Sequence, residues 1–250
     1  MKAKYLLFFI AISFIVVSCD VAQQLANDYN SSTTSSSPSE SEVIKGLKRA
    51  LVIGSEAAVA DLSKTNAFYG NTAYKILLPK EAQIITDNKN NPLLQAIGVD
   101  KMITDVEKSM NMAAEKAVIK AKPIFINAIT NMSIQDAFSI LNGSDIAATE
   151  YLRRTTYQKL YSSFKPEVSK KLNQPMYQGV STNNAWNTLT VGYNNVAAFV
   201  PSWTSVNTDL DDYVTKKALD ALFLEVEKEE RSIRKDPAAR VEEILKRVFG

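Results

Sequence analysis

The residues best suited to carry chemistry lie close together in the middle of the chain. They are three carboxylates followed by two arginines: Asp136, Asp145, Glu150, Arg153 and Arg154. Suitably placed carboxylates can act as general acid and base, and an arginine offers a planar fork for an anionic group. The functional interpretation is a site for an anionic or polar ligand, built from Asp136, Asp145, Glu150 and Arg153.

The same residues have a structural alternative. Asp136 follows Ser133 at the spacing of a helix capping box, and Asp145 suits the N-terminal end of a helix. Glu150 lies three and four residues before the arginines, so it could form ion pairs along one helix. The spacing favours caps and ion pairs, with the ligand site as the alternative.

Composition excludes several common chemistries. The chain has no histidine and a single cysteine, so a Ser-His-Asp triad cannot form and an imidazole metal site is absent. A zinc site is not expected either, because zinc is held mainly by cysteine and histidine. The eight glycines are scattered and form no phosphate-binding loop. The sequence therefore predicts no metal and no cofactor, and leaves carboxylate or Ser–Lys chemistry to any enzyme.

The single cysteine, Cys19, ends an apolar N-terminal stretch. Lys2 and Lys4 precede an apolar run from Tyr5 to Val17, which is the layout of a secretory signal. The run is shorter than the roughly 20 residues that a membrane-spanning helix needs. The sequence Val16-Val17-Ser18-Cys19 is typical of a bacterial lipobox, so we expect Cys19 to be acylated and to anchor the protein in a membrane. The alternative is an ordinary signal peptide with an incidental cysteine.

The sequence predicts three segments. Residues 1–18 form the lipoprotein signal peptide, residues 19–41 the lipidated cysteine with a flexible Ser/Thr-rich tether, and residues 42–250 a single helical domain. The tether lacks the apolar side chains that would offset the entropy of ordering it. The formal net charge of +2 comes from two lysines of the signal, so the mature protein would be neutral. We therefore expect no nucleic-acid partner.

From residue 42 onward, apolar residues recur every three to four positions, which predicts an irregular all-α domain of about eight or nine helices. Asp209 is expected to cap a long helix, and Pro166 to interrupt another. Residues 175–198 favour helix, and no hairpin signal is recognised. The mixed charges of residues 228–235 predict an exposed helix end.

Two stretches of this domain resemble a known family. Residues 110–164 and 209–250 are similar to the domain-of-unknown-function 4197 (DUF4197) family of bacterial envelope proteins. The motifs that carry the resemblance are Asp136-Ala137, Ile140-Leu141-x-Gly143, Ala147-Ala148-Thr149-x-Tyr151, Arg153-x-x-Thr156, Tyr213-Val214, Ala218-Leu219, Phe223 and Asp236-Pro237-Ala238-Ala239-Arg240. The resemblance implies a helical, secreted protein. It implies no catalytic residues, because the family has no established activity.

The expected function is that of a non-enzymatic envelope lipoprotein, a binding or scaffold module of unknown ligand. We expect its partner to be the membrane, reached through Cys19, and its location to be the outer membrane facing the periplasm rather than the inner membrane. One alternative is a carboxylate-dependent hydrolase, which would need two carboxyl groups within about 5–10 Å in a water-filled cleft. The other is a carrier of an apolar ligand, which would need a closed pocket of about 300 Å³ or more.

Overall fold

Helices make up nearly all the regular structure of the described chain, which confirms the predicted all-α class. The computed structural model describes residues 39–83, 99–177, 179–198, 205, 209–240 and 242–249. The predicted signal peptide, Cys19 and the tether up to residue 38 lie outside these residues. None of the helices within them combines the length and the apolar character needed to cross a bilayer.

The described helices vary widely in length. They are α1 (Glu40–Leu62), α2 (Val99–Val118), α3 (Ala121–Thr130), α4 (Ile134–Leu141), α5 (Ala147–Leu172), α6 (Thr182–Ala197), α7 (Leu210–Lys235) and α8 (Glu243–Phe249). Lys80–Ala82 and Pro237–Ala239 are short 3-10 helices, and β1 (Pro175–Tyr177) and β2 (Val180–Ser181) are short strands. Helix α1 thus begins just before the predicted domain boundary at residue 42.

The core lies where α5 and α7 pack along each other, with α2 against α5 and α1 against α7. Phe223 of α7 is fully buried at its centre. The ring of Phe125, from α3, meets Phe223 edge-on with 5.9 Å between ring centroids. Tyr157, from α5, stacks on Phe223 at 6.4 Å. Because three helices contribute to one aromatic contact, these rings fix the spacing of the helices around them.

The predicted helix starts at Ser133 and Asp209 are confirmed. The Ser133 hydroxyl accepts from the Asp136 N–H at 3.0 Å, and the Asp136 carboxylate accepts from the Ser133 N–H, which completes a capping box before α4. Asp209 accepts from the Asp212 N–H at 2.9 Å at the start of α7. Each cap satisfies backbone N–H groups that have no partner within the helix.

Pro166 does not interrupt its helix, which was a wrong prediction. Helix α5 runs through it from Ala147 to Leu172. Pro166 lacks the N–H that would bond to the Ser162 carbonyl, but both residues are exposed, so water can satisfy that carbonyl. Meanwhile Phe164 and Val168 stay fully buried on the opposite face. Burial of the apolar face therefore outweighs the local cost of the proline.

The stretch predicted as helix from residue 175 begins instead with a small hairpin. Strands β1 and β2 pair antiparallel, with Pro175 opposite Ser181 and Tyr177 opposite Val180. Gly179 lies in the turn with φ of +81°, a conformation that glycine adopts without steric cost. Helix α6 follows directly at Thr182. The prediction missed the turn signal of this glycine between two short extended segments.

The C-terminal helix α8 packs closely on α1. A Cβ atom on Gly46 of α1 would lie 2.6 Å from the Val248 side chain, so this approach requires glycine. Leu245 of α8 is fully buried in a small cluster with Ala50 and Ile233. The guanidinium of Arg49 on α1 also binds the Glu242 carboxylate just before α8. Glu242 stays ionised more readily as a result, because the bond with Arg49 lowers its pKa.

Candidate functional site

The structure places the four predicted site residues in separate local contacts. Asp136 belongs to the capping box of α4. Asp145 forms ion pairs with Lys235 at 2.5 Å and with Arg231 at 3.6 Å, both from α7. The hydrogen bond with Lys235 holds the pKa of Asp145 below its ordinary value. Each of these two carboxylates is therefore engaged by local partners of its own.

The surroundings of Glu150 and Arg153 also indicate structural roles. Glu150 is exposed in the first turn of α5, where its charge suits the helix dipole. The guanidinium carbon of Arg153 lies 4.4 Å from the centroid of the Phe223 ring and a nitrogen lies 3.9 Å from Asp220. The capping role expected for Asp136 is therefore confirmed. Asp145 and Arg153 form ion pairs as well, but with residues of α7 rather than along their own helix. As a ligand site, the set Asp136, Asp145, Glu150 and Arg153 stays a prediction.

A carboxylate outside the predicted set lies at the start of α5. Glu230 of α7 is 8 % exposed, so residues 228–235 are not the fully exposed helix end that their charges predicted. Its two oxygens accept from the Ala148 N–H at 3.0 Å and the Thr149 N–H at 2.8 Å. The Thr149 hydroxyl donates to it as well. Glu230 thus caps α5 from a neighbouring helix, where its negative charge also favours the helix N-terminus.

Arg234 extends this contact to a third helix. Its Nε donates to the Glu230 carboxylate at 3.0 Å, and its Nη2 donates to the Ile140 carbonyl in the last turn of α4 at 2.9 Å. The start of α5 and the end of α4 are therefore both tied to α7. Sequence reasoning missed this arrangement because Glu230 is 81 residues from Thr149, and local spacing carries no signal of such a contact.

Two buried polar residues of α2 hold the segment of residues 63–79, which follows α1 without regular secondary structure. The Asn111 amide donates to the Ile76 carbonyl at 2.8 Å and accepts from the Ile76 N–H at 2.9 Å. Glu115 accepts from the Phe68 N–H at 3.4 Å. Burial raises the pKa of Glu115, although backbone N–H donors of this segment oppose that shift. These two side chains add to the segment's own turn hydrogen bonds and pair backbone groups that the turns leave without a partner.

A third attachment joins the same segment to α7. Glu225 is 1 % exposed, and it accepts from the Tyr74 hydroxyl and from Lys228 Nζ. Burial and the bond with Glu225 raise the pKa of Tyr74, so its hydroxyl remains a donor. One oxygen each of Asp61, Glu225 and Glu229 lie within 4.8 Å of one another. The three carboxylates therefore form an acidic cluster, in which Lys228 supplies a positive charge at Glu225.

The segment forms one wall of a groove of about 770 Å³. The opposite walls come from α2 and α7, and the lining includes Tyr69, Tyr74, Ile103, Glu107, Tyr213 and Lys217. Leu77 and Leu224 also line it, and both are large apolar side chains exposed to solvent. The volume is within the range of about 300–1,000 Å³ that is usual for ligand-binding clefts, and the lining combines apolar, aromatic and charged groups.

A separate apolar pocket lies between α1, α5 and α7, beside Glu230. Its volume is about 20 Å³, which is enough for about one water molecule. That is far below the roughly 300 Å³ of a typical ligand pocket. This pocket therefore does not suit the carrier of an apolar ligand that the sequence left open.

Comparison with known proteins identifies one family. The model of the DUF4197 family, which is described as "protein of unknown function", matches residues 37–250. The match confirms the resemblance drawn from the motifs, and it covers the α1-to-α8 region. No curated protein and no solved structure matches the chain.

We expect Glu230→Gln to lower the free energy of unfolding by about 2–4 kcal/mol, because it removes a buried charge from the α5 cap and leaves Arg234 without its carboxylate. Urea denaturation followed by circular dichroism measures this. The matched control is Glu227→Gln on the same helix, which removes a more exposed carboxylate paired with Arg231 and should cost less than about 1 kcal/mol. Equal losses in the two variants would contradict the capping role.

Proposed function

We propose that this chain, which belongs to the DUF4197 family, is a lipid-anchored binding module of the bacterial cell envelope without catalytic activity. The observation that carries the proposal is the groove between residues 69–80, α2 and α7. In this groove the exposed apolar side chains of Leu77 and Leu224 lie beside aromatic and charged ones, and buried contacts hold its wall.

The bonding of the buried carboxylates supports binding rather than catalysis. Glu115, Glu225 and Glu230 are each almost fully buried, and each accepts hydrogen bonds from the protein's own backbone or side chains. A general base must reach a substrate proton directly or through one water. Glu115 binds the segment after α1, Glu225 binds Tyr74 and Glu230 caps α5. These three carboxylates therefore stabilise the fold.

The hydrolase alternative has its best support in a different pair, Glu225 and Glu229. Burial and then the charge of Glu225 raise the pKa of Glu229, which is a property of general acids. However, Tyr74 and Lys228 already bind different oxygens of Glu225. Glu225 therefore has no free oxygen with which to serve as the second catalytic carboxylate beside Glu229. The binding function therefore has the stronger support.

The membrane anchor in this proposal rests on the sequence around Cys19. A signal-like apolar run followed by Val16-Val17-Ser18-Cys19 favours acylation of the cysteine, and more than one acyl chain is needed for stable anchoring. The Ser/Thr-rich residues before α1, which begins at Glu40, would then separate the domain from the lipid headgroups, with a span of roughly 25 Å for 20 flexible residues. We place the protein at the outer membrane, facing the periplasm.

We expect the mature protein to begin at Cys19 with acyl chains on that residue, and Cys19→Ser to move the protein from the membrane fraction to the soluble fraction. Mass spectrometry of the N-terminal peptide and fractionation of the envelope measure the two effects. Ser35→Ala, in the same tether, is the control and should remain in the membrane. An unmodified N-terminus downstream of Cys19 would overturn the anchor.

We also expect the native protein, purified from detergent-solubilised envelope, to carry a bound lipid, glycan or peptide that depends on the groove. The double variant Leu77→Ala/Leu224→Ala should reduce its amount about tenfold or more, because it removes apolar contacts without disturbing the core. The control Ile119→Ala/Ile134→Ala changes two exposed apolar residues outside the groove. Mass spectrometry identifies and quantifies the molecule. Equal recovery from all variants, or none from the wild type, would contradict the proposed function.

A further inference from the structure

Three carboxylates, those of Asp61, Glu225 and Glu229, lie close together between the end of α1 and the middle of α7, beside Tyr74. Asp61 lies in the last turn of α1 with its side chain 47 % exposed. Glu225 is buried on α7, and Glu229 is half-buried one turn further along α7. An oxygen from each lies within 4.8 Å of the others. Charges of the same sign at such distances repel strongly when they are shielded from water.

The cations around this cluster do not balance it. Lys64 pairs with Asp61 at 2.5 Å, and Lys228 pairs with Glu225 at 2.8 Å. Within the described part of the chain, Glu229 has no ion-pair partner, and the charges that act on it are those of Glu225, Lys228 and Asp61. The remaining group that faces the cluster is the neutral hydroxyl of Tyr74, which donates to Glu225. With all three carboxylates ionised, one negative charge is uncompensated.

Uptake of one proton removes this imbalance without breaking an existing bond. Burial and the neighbouring charge of Glu225 raise the pKa of Glu229, so Glu229 is the group that takes up a proton first as the pH falls. The carboxylate of Glu225 continues to accept from Tyr74 and Lys228. The repulsion between the end of α1 and α7 is then relieved while the attachment of Tyr74 is kept.

We propose that Asp61, Glu225 and Glu229 form a proton-sensitive joint, which holds residues 63–79 more firmly against α7 when the cluster takes up a proton. Tyr74 both binds Glu225 and lines the groove, so the joint would set the rigidity of a groove wall. An effect of this rigidity on ligand binding rests on the proposed function. The change in the rigidity of residues 63–79 does not.

The direction of the pH effect follows from the raised pKa of Glu229. When a carboxyl has a higher pKa in the folded than in the unfolded protein, the folded state binds more protons between the two values. Its contribution to stability therefore rises as the pH falls through the folded value and is complete below the unfolded one. Replacement by glutamine makes the residue permanently neutral, so this part of the pH dependence should vanish.

The test compares the wild type with Glu229→Gln in chelator-containing buffer between about pH 7.5 and pH 5. Amide hydrogen exchange of residues 66–79 is measured by mass spectrometry and corrected for the intrinsic effect of pH. In the wild type we expect protection of this segment to rise severalfold as the pH falls. Glu229→Gln should show the high protection at both pH values. The control Glu227→Gln, on the same helix, should behave like the wild type.

The proposal is overturned if Glu229→Gln keeps the pH dependence of the wild type, or if the wild type shows none in this segment. Should Glu229→Gln fail to fold, Asp61→Asn tests the same repulsion at a half-exposed position. An unchanged pH dependence in that variant contradicts the joint. These measurements use the protein alone. A negative result in them therefore does not contradict ligand binding in the groove. In the same way, a protein purified without a bound ligand does not contradict the proton-sensitive joint.

Discussion

Nearly all buried backbone N–H and C=O groups of folded proteins have a hydrogen-bond partner, since leaving one unpaired costs about 1–3 kcal/mol. In this protein the long helices satisfy their own backbone, but the segment after α1 and the first turn of α5 cannot do so alone. Asn111 and Glu115 supply partners to the segment, and Glu230 supplies them to α5. Polar side chains buried in α2 and α7 thus help to hold the segment after α1 and the start of α5 in place.

The hydrogen bonds of these buried polar residues connect the core to the wall of the surface groove. The Ile76 backbone is held from α2 by Asn111, and the Leu77 carbonyl accepts from the Tyr213 hydroxyl of α7 at 3.1 Å. The segment is therefore fixed on two sides, which leaves Leu77 to face solvent at the groove. A binding surface on a preorganised wall loses less entropy when it captures a ligand, so rigidity here suits a binding module.

The parts that could be predicted from the sequence are those that depend on neighbouring residues. Apolar spacing identified the helical class, and Ser133 with Asp136 identified the capping box before α4. Pro166 was misjudged because its effect depends on which side of the helix faces water. Glu230 and Glu225 were missed because their partners, Thr149 and Tyr74, are 81 and 151 residues away in the chain.

The predicted polar site illustrates the same limit. Asp145 and Arg153 are close in sequence, yet their partners Lys235 and Phe223 both come from α7. Residue types and spacing can show that charged groups are concentrated, but packing decides which charges meet. The candidate site that the structure offers instead, the groove, is defined by backbone conformation, and periodicity carries no information about it.

The account depends most directly on the claim that buried side chains fix the groove wall. Amide hydrogen exchange of the Ile76 N–H, compared between the wild type and Asn111→Ala, measures this. The account predicts exchange at least about tenfold faster at Ile76 and its neighbours, with protection in α5 and α7 unchanged. Asn131→Ala, which removes an exposed amide at the end of α3, should leave Ile76 unaffected. Unchanged protection of Ile76 in Asn111→Ala would contradict the account.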